Sequence, residues 1–204
     1  MIRKAKLSDL EDIMYIINET VKEMKSYGND QWDDNYPNKE TFIHDIKNES
    51  LYVCEEYNYI KGFICIDEEE ASEYKDLNWS LNEKCMVTHR MAINNKFRNG
   101  GVATKLMNFC KDLALSKGVN YLKADTYSLN VKMNSLFKKL GYNFVGEVKF
   151  SGKDKPFYCW YYKYSGYFLA TDISEARAMI YRWRYSLNFY HNLIIINTYG
   201  IIIN

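Results

Sequence analysis

The chain has 204 residues, 47% of them hydrophobic, and a formal charge of +1 at pH 7. That is enough apolar material for one substantial packed domain, and the near balance of charge excludes the basic footprint of a nucleic-acid binder and a polybasic membrane patch. The five cysteines, Cys54, Cys65, Cys85, Cys110 and Cys159, are odd in number and never in C-x-x-C spacing, so neither a disulfide framework nor a zinc site is predicted.

The N-terminus, MIRKAKLSDLEDI, enters a charged helical pattern at once, without the apolar core of a signal peptide, and no apolar run reaches membrane-spanning length. A cytoplasmic, unanchored protein is expected. In chain order, a short strand is predicted at Ile2 to Ala5, then a helix capped by Ser8 with Leu10, Ile13, Met14, Ile17 and Val21 on one face. A second helix starts after Asn38. LYVCEEYNYIKGFICID, residues 51–67, reads as two strands about a turn near Tyr57 to Tyr59, and the acidic stretch 67–76 reads as a solvated connection. A strand over Lys84 to Ile93 precedes a helix from Val102 that carries Leu106, Phe109, Cys110 and Leu113 and stops at Gly118, a residue suited to a left-handed cap. YLKADTY, 121–127, is the next strand. Asn130 caps a helix through Met133, Leu136, Phe137 and Leu140, ended by Gly141, and two aromatic-rich strands cover 143–149 and 157–164.

Composition changes near Tyr164. All 21 lysines precede it, whereas the last 40 residues hold none and supply three of the six arginines. This divides the chain into a domain over 1–164 and a C-terminal extension over 165–204. The extension reads as a helix opening at Asp172, then a β-prone run from Leu193 to Ile203. It is either an arm that adds a strand to a second copy in a homodimer, since so apolar an edge would otherwise aggregate, or a non-native addition.

The chemistry concentrates in FRNGGVATKLMNF, residues 97–109. A strand, a glycine turn and a helix whose first N–H groups lack intrahelical partners form an anion site, with the macrodipole's positive end at the same point. Neither G-x-x-x-x-G-K-[ST] nor G-x-G-x-x-G occurs; R-x-x-G-x-A, Arg98 to Ala103, does. Small residues on both sides of Val102 would let a pyrophosphate lie against the amides of Asn99 to Thr104.

HRMAINNKFRNGGVATKLMNFC resembles motif A of the GNAT acetyltransferases, and NVKMNSLFKKLGY resembles their motif B, in the right order with one strand between. The resemblance extends over about residues 1 to 164. It implies an α/β (mixed α+β) GNAT fold, a mostly antiparallel sheet splayed at the motif A strand and flanked by helices. It also implies acetyl-coenzyme A as co-substrate and a small-molecule or protein amine as acceptor; His44 and His191 show no ligand spacing, so no metal is expected. By position, Met91 and Ile93 match the strand end that pairs with the pantetheine arm, an amide of the Ile93 strand serving as oxyanion donor. Arg98, Asn99, Gly100, Gly101, Val102, Ala103 and Thr104 match the pyrophosphate loop. Asn130 matches the asparagine that opens motif B, with Lys138 and Lys139 partners for outer phosphates or simply a solvated helix end. Phe137 departs from the pattern: many members carry a tyrosine there to protonate the leaving thiolate. Tyr127, Tyr158 or water is then the alternative acid.

The incoming amine must lose a proton before attack. His89, where some arylalkylamine-type members keep a catalytic histidine, suits that task near neutrality. Strand parity groups it with Val87 and Met91, so a core histidine bonded to a backbone carbonyl is the rival reading; Glu55, Glu56 and the carboxylates of 67–76 are other bases. Trp32 and Tyr36 in QWDDNYP, with Trp79 and Tyr127, are expected in the acceptor pocket, where aromatic and carboxylate groups suit a cationic amine. The expected activity is acetyl transfer to a primary amine by direct attack in a ternary complex. The alternative is a coenzyme A binding or sensing module in which catalysis has lapsed.

Overall fold

The computed structural model describes residues 1–164, together with the backbone of 194–197 and 200–203. Seven strands form one sheet: β1 Ile2–Lys4, β2 Leu51–Glu56, β3 Tyr59–Asp67, β4 Met86–Ile93, β5 Tyr121–Tyr127, β6 Asn143–Val148 and β7 Phe157–Lys163. Their spatial order is β1-β2-β3-β4-β5-β7-β6, antiparallel throughout except for the parallel pair β4 and β5. Four α-helices flank it: α1 Leu10–Ser26, α2 Lys39–Lys47, α3 Val102–Ser116 and α4 Val131–Lys139.

The two faces of the sheet bury separate cores. On the first, α3 and α4 lay Val102, Leu106, Cys110 and Phe137 against Met86, Leu122, Ala124 and Trp160. On the second, α1 and α2 lay Ile13, Ile17, Val21 and Phe42 against Val53, Phe63, Cys65 and Ala92. A third cluster on that face joins Val87, Tyr121, Tyr127 and Cys159 to Tyr74. Each strand supplies both faces by alternation. All five cysteines are free and buried, and among the described residues no helix is long and apolar enough to cross a membrane.

Ser8 does not cap α1. It lies inside a 3-10 turn, Leu7–Asp9, and α1 begins without a side-chain cap; Asp9 instead accepts the Lys6 N–H at 2.7 Å and pairs with Arg3. Residues 67–76 are not merely a solvated connection. Ser72–Asp76 is a 3-10 helix that buries Tyr74, Glu70 pairs with Lys123, and Asp67 meets His89. The run near the C-terminus forms an antiparallel hairpin, β8 Ile194–Asn197 with β9 Gly200–Ile203. The helix expected from Asp172 lies outside the described residues.

One irregularity decides the site. Across β3 and β4 the register runs Phe63 to Ala92 and Cys65 to His89, so Ile64 alone opposes both Arg90 and Met91. This is a β-bulge, and Arg90 takes up the extra residue at φ +41°. Its guanidinium is anchored by Asp45 through bonds of 2.7 and 2.8 Å.

Candidate active site

β4 and β5 pair only at Met86 to Leu122, Val87 to Lys123 and Thr88 to Ala124. Past Thr88 the strands separate, and a cleft opens between them, lined by Thr88, His89 and Met91 from β4 and Asp125 and Thr126 from β5. Met107, Met133 and Phe137 close it on the α3–α4 side, and Gln31 and Trp32 close it from the α1–α2 connection. The backbone past the opening has lost its parallel neighbour, so an extended ligand can take that neighbour's place.

β4 leads through a 3-10 turn, Asn95–Phe97, to the N-terminus of α3, whose Met107 lines the cleft. Asn38 and Asn130 cap α2 and α4 through their side chains, but α3 has no side-chain cap. Its N-cap, Gly101, is left-handed at φ +77°, and a Cβ there would meet nothing within 4 Å, since it would project into the open space before the helix. Asn99 is also left-handed, at φ +62°. Exposed amides, a helix dipole and space kept clear of side chains are the donor set of a pyrophosphate site. Val102 is buried in the first-face core, while Ala103 and Thr104 are half-buried. Arg98 Nε donates to the Ile93 carbonyl at 3.4 Å, and its Nη1 pairs with Glu23 of α1. Glu23 also takes Lys132 at 3.0 Å, so one carboxylate holds two cations beside the loop.

His89 lies on the second face, opposite Cys65, and its Nε2 is 3.1 Å from Asp67 Oδ1. The expected parity fails at this point. The bulge separates His89 from Met91, which packs on the first face with α3. The partner of His89 is a carboxylate rather than a backbone carbonyl. With Nε2–H donating to Asp67, Nδ1 is the ring nitrogen left with a lone pair. Burial pushes the Asp67 carboxyl up, but the His89 and Glu69 N–H bonds, with Arg90 nearby, more than reverse this and hold it below its ordinary range.

The other anticipated residues divide. Trp32 is buried and lines the cleft. Asn130 lines it too, accepting the Met133 N–H and donating to Gln31 Oε1 at 3.1 Å. Phe137 lines it as a buried ring packed on Tyr142 and Trp160. Tyr36 is exposed and accepts a bond from Arg90 Nη1 at 3.2 Å. Lys138 is exposed, with its ammonium over the Trp160 ring.

Three of the anticipated residues lie outside the cleft lining. Tyr127 is fully buried against Phe157, its hydroxyl accepts the Lys155 N–H at 3.0 Å, and it does not line the cleft. Trp79 packs on Tyr74, donates to the Tyr74 carbonyl and does not line the cleft. Tyr158 stacks edge-on with Phe144 and does not line the cleft. Aromatic side chains look alike in sequence whether they fill a core or a pocket. Sequence reasoning missed Gln31, Tyr74 and Asp125. The only available signal was the alternation of YLKADTY, which puts Asp125 on one face with Lys123 and Tyr127. Glu55 pairs with Arg3 and Glu56 with Lys61, and neither lines the cleft.

The profile of the acetyltransferase (GNAT) family matches residues 13–142. The chain belongs to this family. The structure of a Staphylococcus aureus protein described as an acetyltransferase is 34% identical, at a TM-score of 0.64 over 80% of this chain and 98% of that one. A GNAT-family acetyltransferase from Streptococcus agalactiae is 27% identical, at a TM-score of 0.70 over 81% and 95% of the two chains. Streptothricin acetyltransferase from Escherichia coli is 30% identical over 91 residues, 45% of this chain; the match spans about half (51%) of that relative's length. GNAT membership makes acetyl-coenzyme A the acetyl donor, and the uncapped α3 terminus with the opened β4 edge fits its pyrophosphate and pantetheine.

Proposed function

We propose that the protein acetylates a primary amine by direct attack in a ternary complex, the donor lying along β4 on the first face and the acceptor reaching the cleft from the second. The His89–Asp67 pair at the strand opening carries this reading. Acetyl-coenzyme A supplies a thioester whose C–S bond breaks as the C–N bond forms. Asp67 fixes the His89 ring and tautomer, and Nδ1 takes the proton from the attacking nitrogen. Thr104 and the amides from Asn99 onward hold the pyrophosphate, with Arg98 able to turn from Glu23 towards it. An amide of the β4 segment ending at Ile93 donates to the carbonyl oxygen of the reacting group. Phe137 gives no proton to the leaving sulfur. A thiol pKa of about 8.5 makes unassisted departure of a thiolate tolerable, so the residues work chiefly by positioning.

The acceptor is a small molecule or a protein amino group. Thiol release from acetyl-coenzyme A across a broad panel of amines, with product masses, tests the reading. Release with at least one primary amine, lost on His89→Ala, is expected. Donor binding without release above background across the panel would favour instead a coenzyme A binding or sensing module, the alternative that Phe137 permits.

A further inference from the structure

The mechanism above leaves Asp125 unused. It is the first β5 residue beyond the last pair with β4, and it lines the cleft on the same face as His89. Its Oδ2 is fixed by the Tyr74 hydroxyl, which donates at 2.6 Å. Tyr74 is itself immobilised: it is 2% exposed, belongs to the third core cluster and packs on Trp79. Oδ1 accepts no hydrogen bond among the described residues, and it is not one of the buried atoms lacking a partner, so it opens into the cleft.

The other carboxylates withdrawn into the second face each have a basic partner: Arg3 for Asp9, Arg90 for Asp45 and His89 for Asp67. Asp125 has one hydroxyl and, among the described residues, no cation within bonding distance. A carboxylate so placed has been removed from water without the charge that would offset the loss. Burial accordingly pushes its pKa up, only partly countered by Tyr74 and, when the ring is protonated, by His89, while Glu73 pushes in the same direction as burial. Trp32 lines the same cleft with an aromatic surface that also favours a cation.

We propose that Asp125 receives the ammonium group of the acceptor and thereby restricts the site to amines that arrive positively charged, Tyr74 holding its carboxylate in place. This rests on the amine-acetylation reading. The ammonium supplies the missing counter-charge to Oδ1 and is delivered beside His89, which then takes its proton. A neutral nucleophile of the same shape gains none of that attraction.

The test compares the panel's most active primary amine with its alkoxyamine isostere, in which the carbon bearing the amine is replaced by oxygen and the nitrogen is uncharged at neutral pH. For a simple alkyl chain the pair is hexylamine and O-pentylhydroxylamine. Asp125→Asn keeps the size of the side chain and can still accept the Tyr74 bond, and unchanged acetyl-coenzyme A affinity by calorimetry certifies its fold. The expected result is a KM for the ammonium substrate raised about tenfold or more, against a change under about threefold for the isostere. Equal losses with both substrates, or no loss with either, overturn the role of Asp125 and leave the amine reading intact. A wild-type protein that binds acetyl-coenzyme A but acetylates no amine of the panel overturns both. If Asp125→Asn does not fold, Tyr74→Phe keeps the carboxylate but frees it; a several-fold KM rise confined to the ammonium substrate supports the proposal, and equal effects on both substrates overturn it.

Discussion

Asp67 Oδ1 lies 3.1 Å from His89 Nε2, joining the last residue of β3 to the middle of β4 just before the bulge. Because the native state holds the Asp67 carboxyl below its ordinary value of 3.8, it favours the ionised form more than the unfolded chain does. The resulting stabilisation is fully present above that ordinary value and is lost as pH falls through the lower native one. Asp67→Asn removes it. Urea midpoints of the two proteins should therefore differ most near neutrality and converge towards pH 3, and a gap independent of pH would show that the pair contributes nothing through ionisation.

His89→Ala should lower turnover about 10² to 10⁴-fold at neutral pH with little change in donor affinity. The defect should shrink as pH rises, because more of the amine then arrives deprotonated. A variant that melts earlier while keeping its specific activity would mark His89 as structural only.

Gly101→Asp should weaken acetyl-coenzyme A binding by more than about tenfold, since a carboxylate would stand before the α3 terminus and oppose the pyrophosphate. The fold should survive with a loss of about 1–2 kcal/mol, because the space is open and only the left-handed backbone is strained. Calorimetry on the folded variant decides; unchanged affinity removes the loop assignment.

Glu23→Gln should tighten donor binding about two- to fivefold at low salt, because Arg98 and Lys132 would no longer be claimed by a carboxylate beside the phosphate site. Titration at two ionic strengths checks it, and the gain should fade as salt rises.

Phe137→Tyr adds a hydroxyl to a buried ring on the cleft wall. Where thiolate departure limits turnover, stopped-flow measurement of the chemical step should show an acceleration of about tenfold, the effect of about 1.4 kcal/mol. A lower melting temperature with no change in that step would show that the hydroxyl points into the core between Tyr142 and Trp160.

The glycine loop and α3 were legible because local rules govern them: a left-handed position, a helix start and an apolar stripe all fall within a few residues. The site around His89 was only half legible. A bulge is a property of two strands in register, and nothing in THRMAI distinguishes its extra residue, so alternation carried His89 and Met91 to one face when they lie on opposite ones. Asp67 and Tyr74 were hidden in a stretch whose composition resembles solvated loop, and their importance comes from what the sheet brings against them. Tyr127 and Trp79, which lie outside the cleft lining, illustrate the converse: their side chains are the right kind for a pocket but are spent in a core.

The extra residue at Arg90 also makes the length of β4 matter as much as its composition. Removing Arg90 itself would only take out the bulge and leave Met91 to Ile93 on their present faces, whereas a deletion or insertion elsewhere in the strand, with the bulge kept, would turn everything beyond it onto the opposite face; replacing a single side chain leaves the others where they are. A library of variants across 86–93 should therefore accept many single exchanges and reject nearly every one-residue deletion or insertion, and homologous chains should drift in letters along this strand while keeping its count.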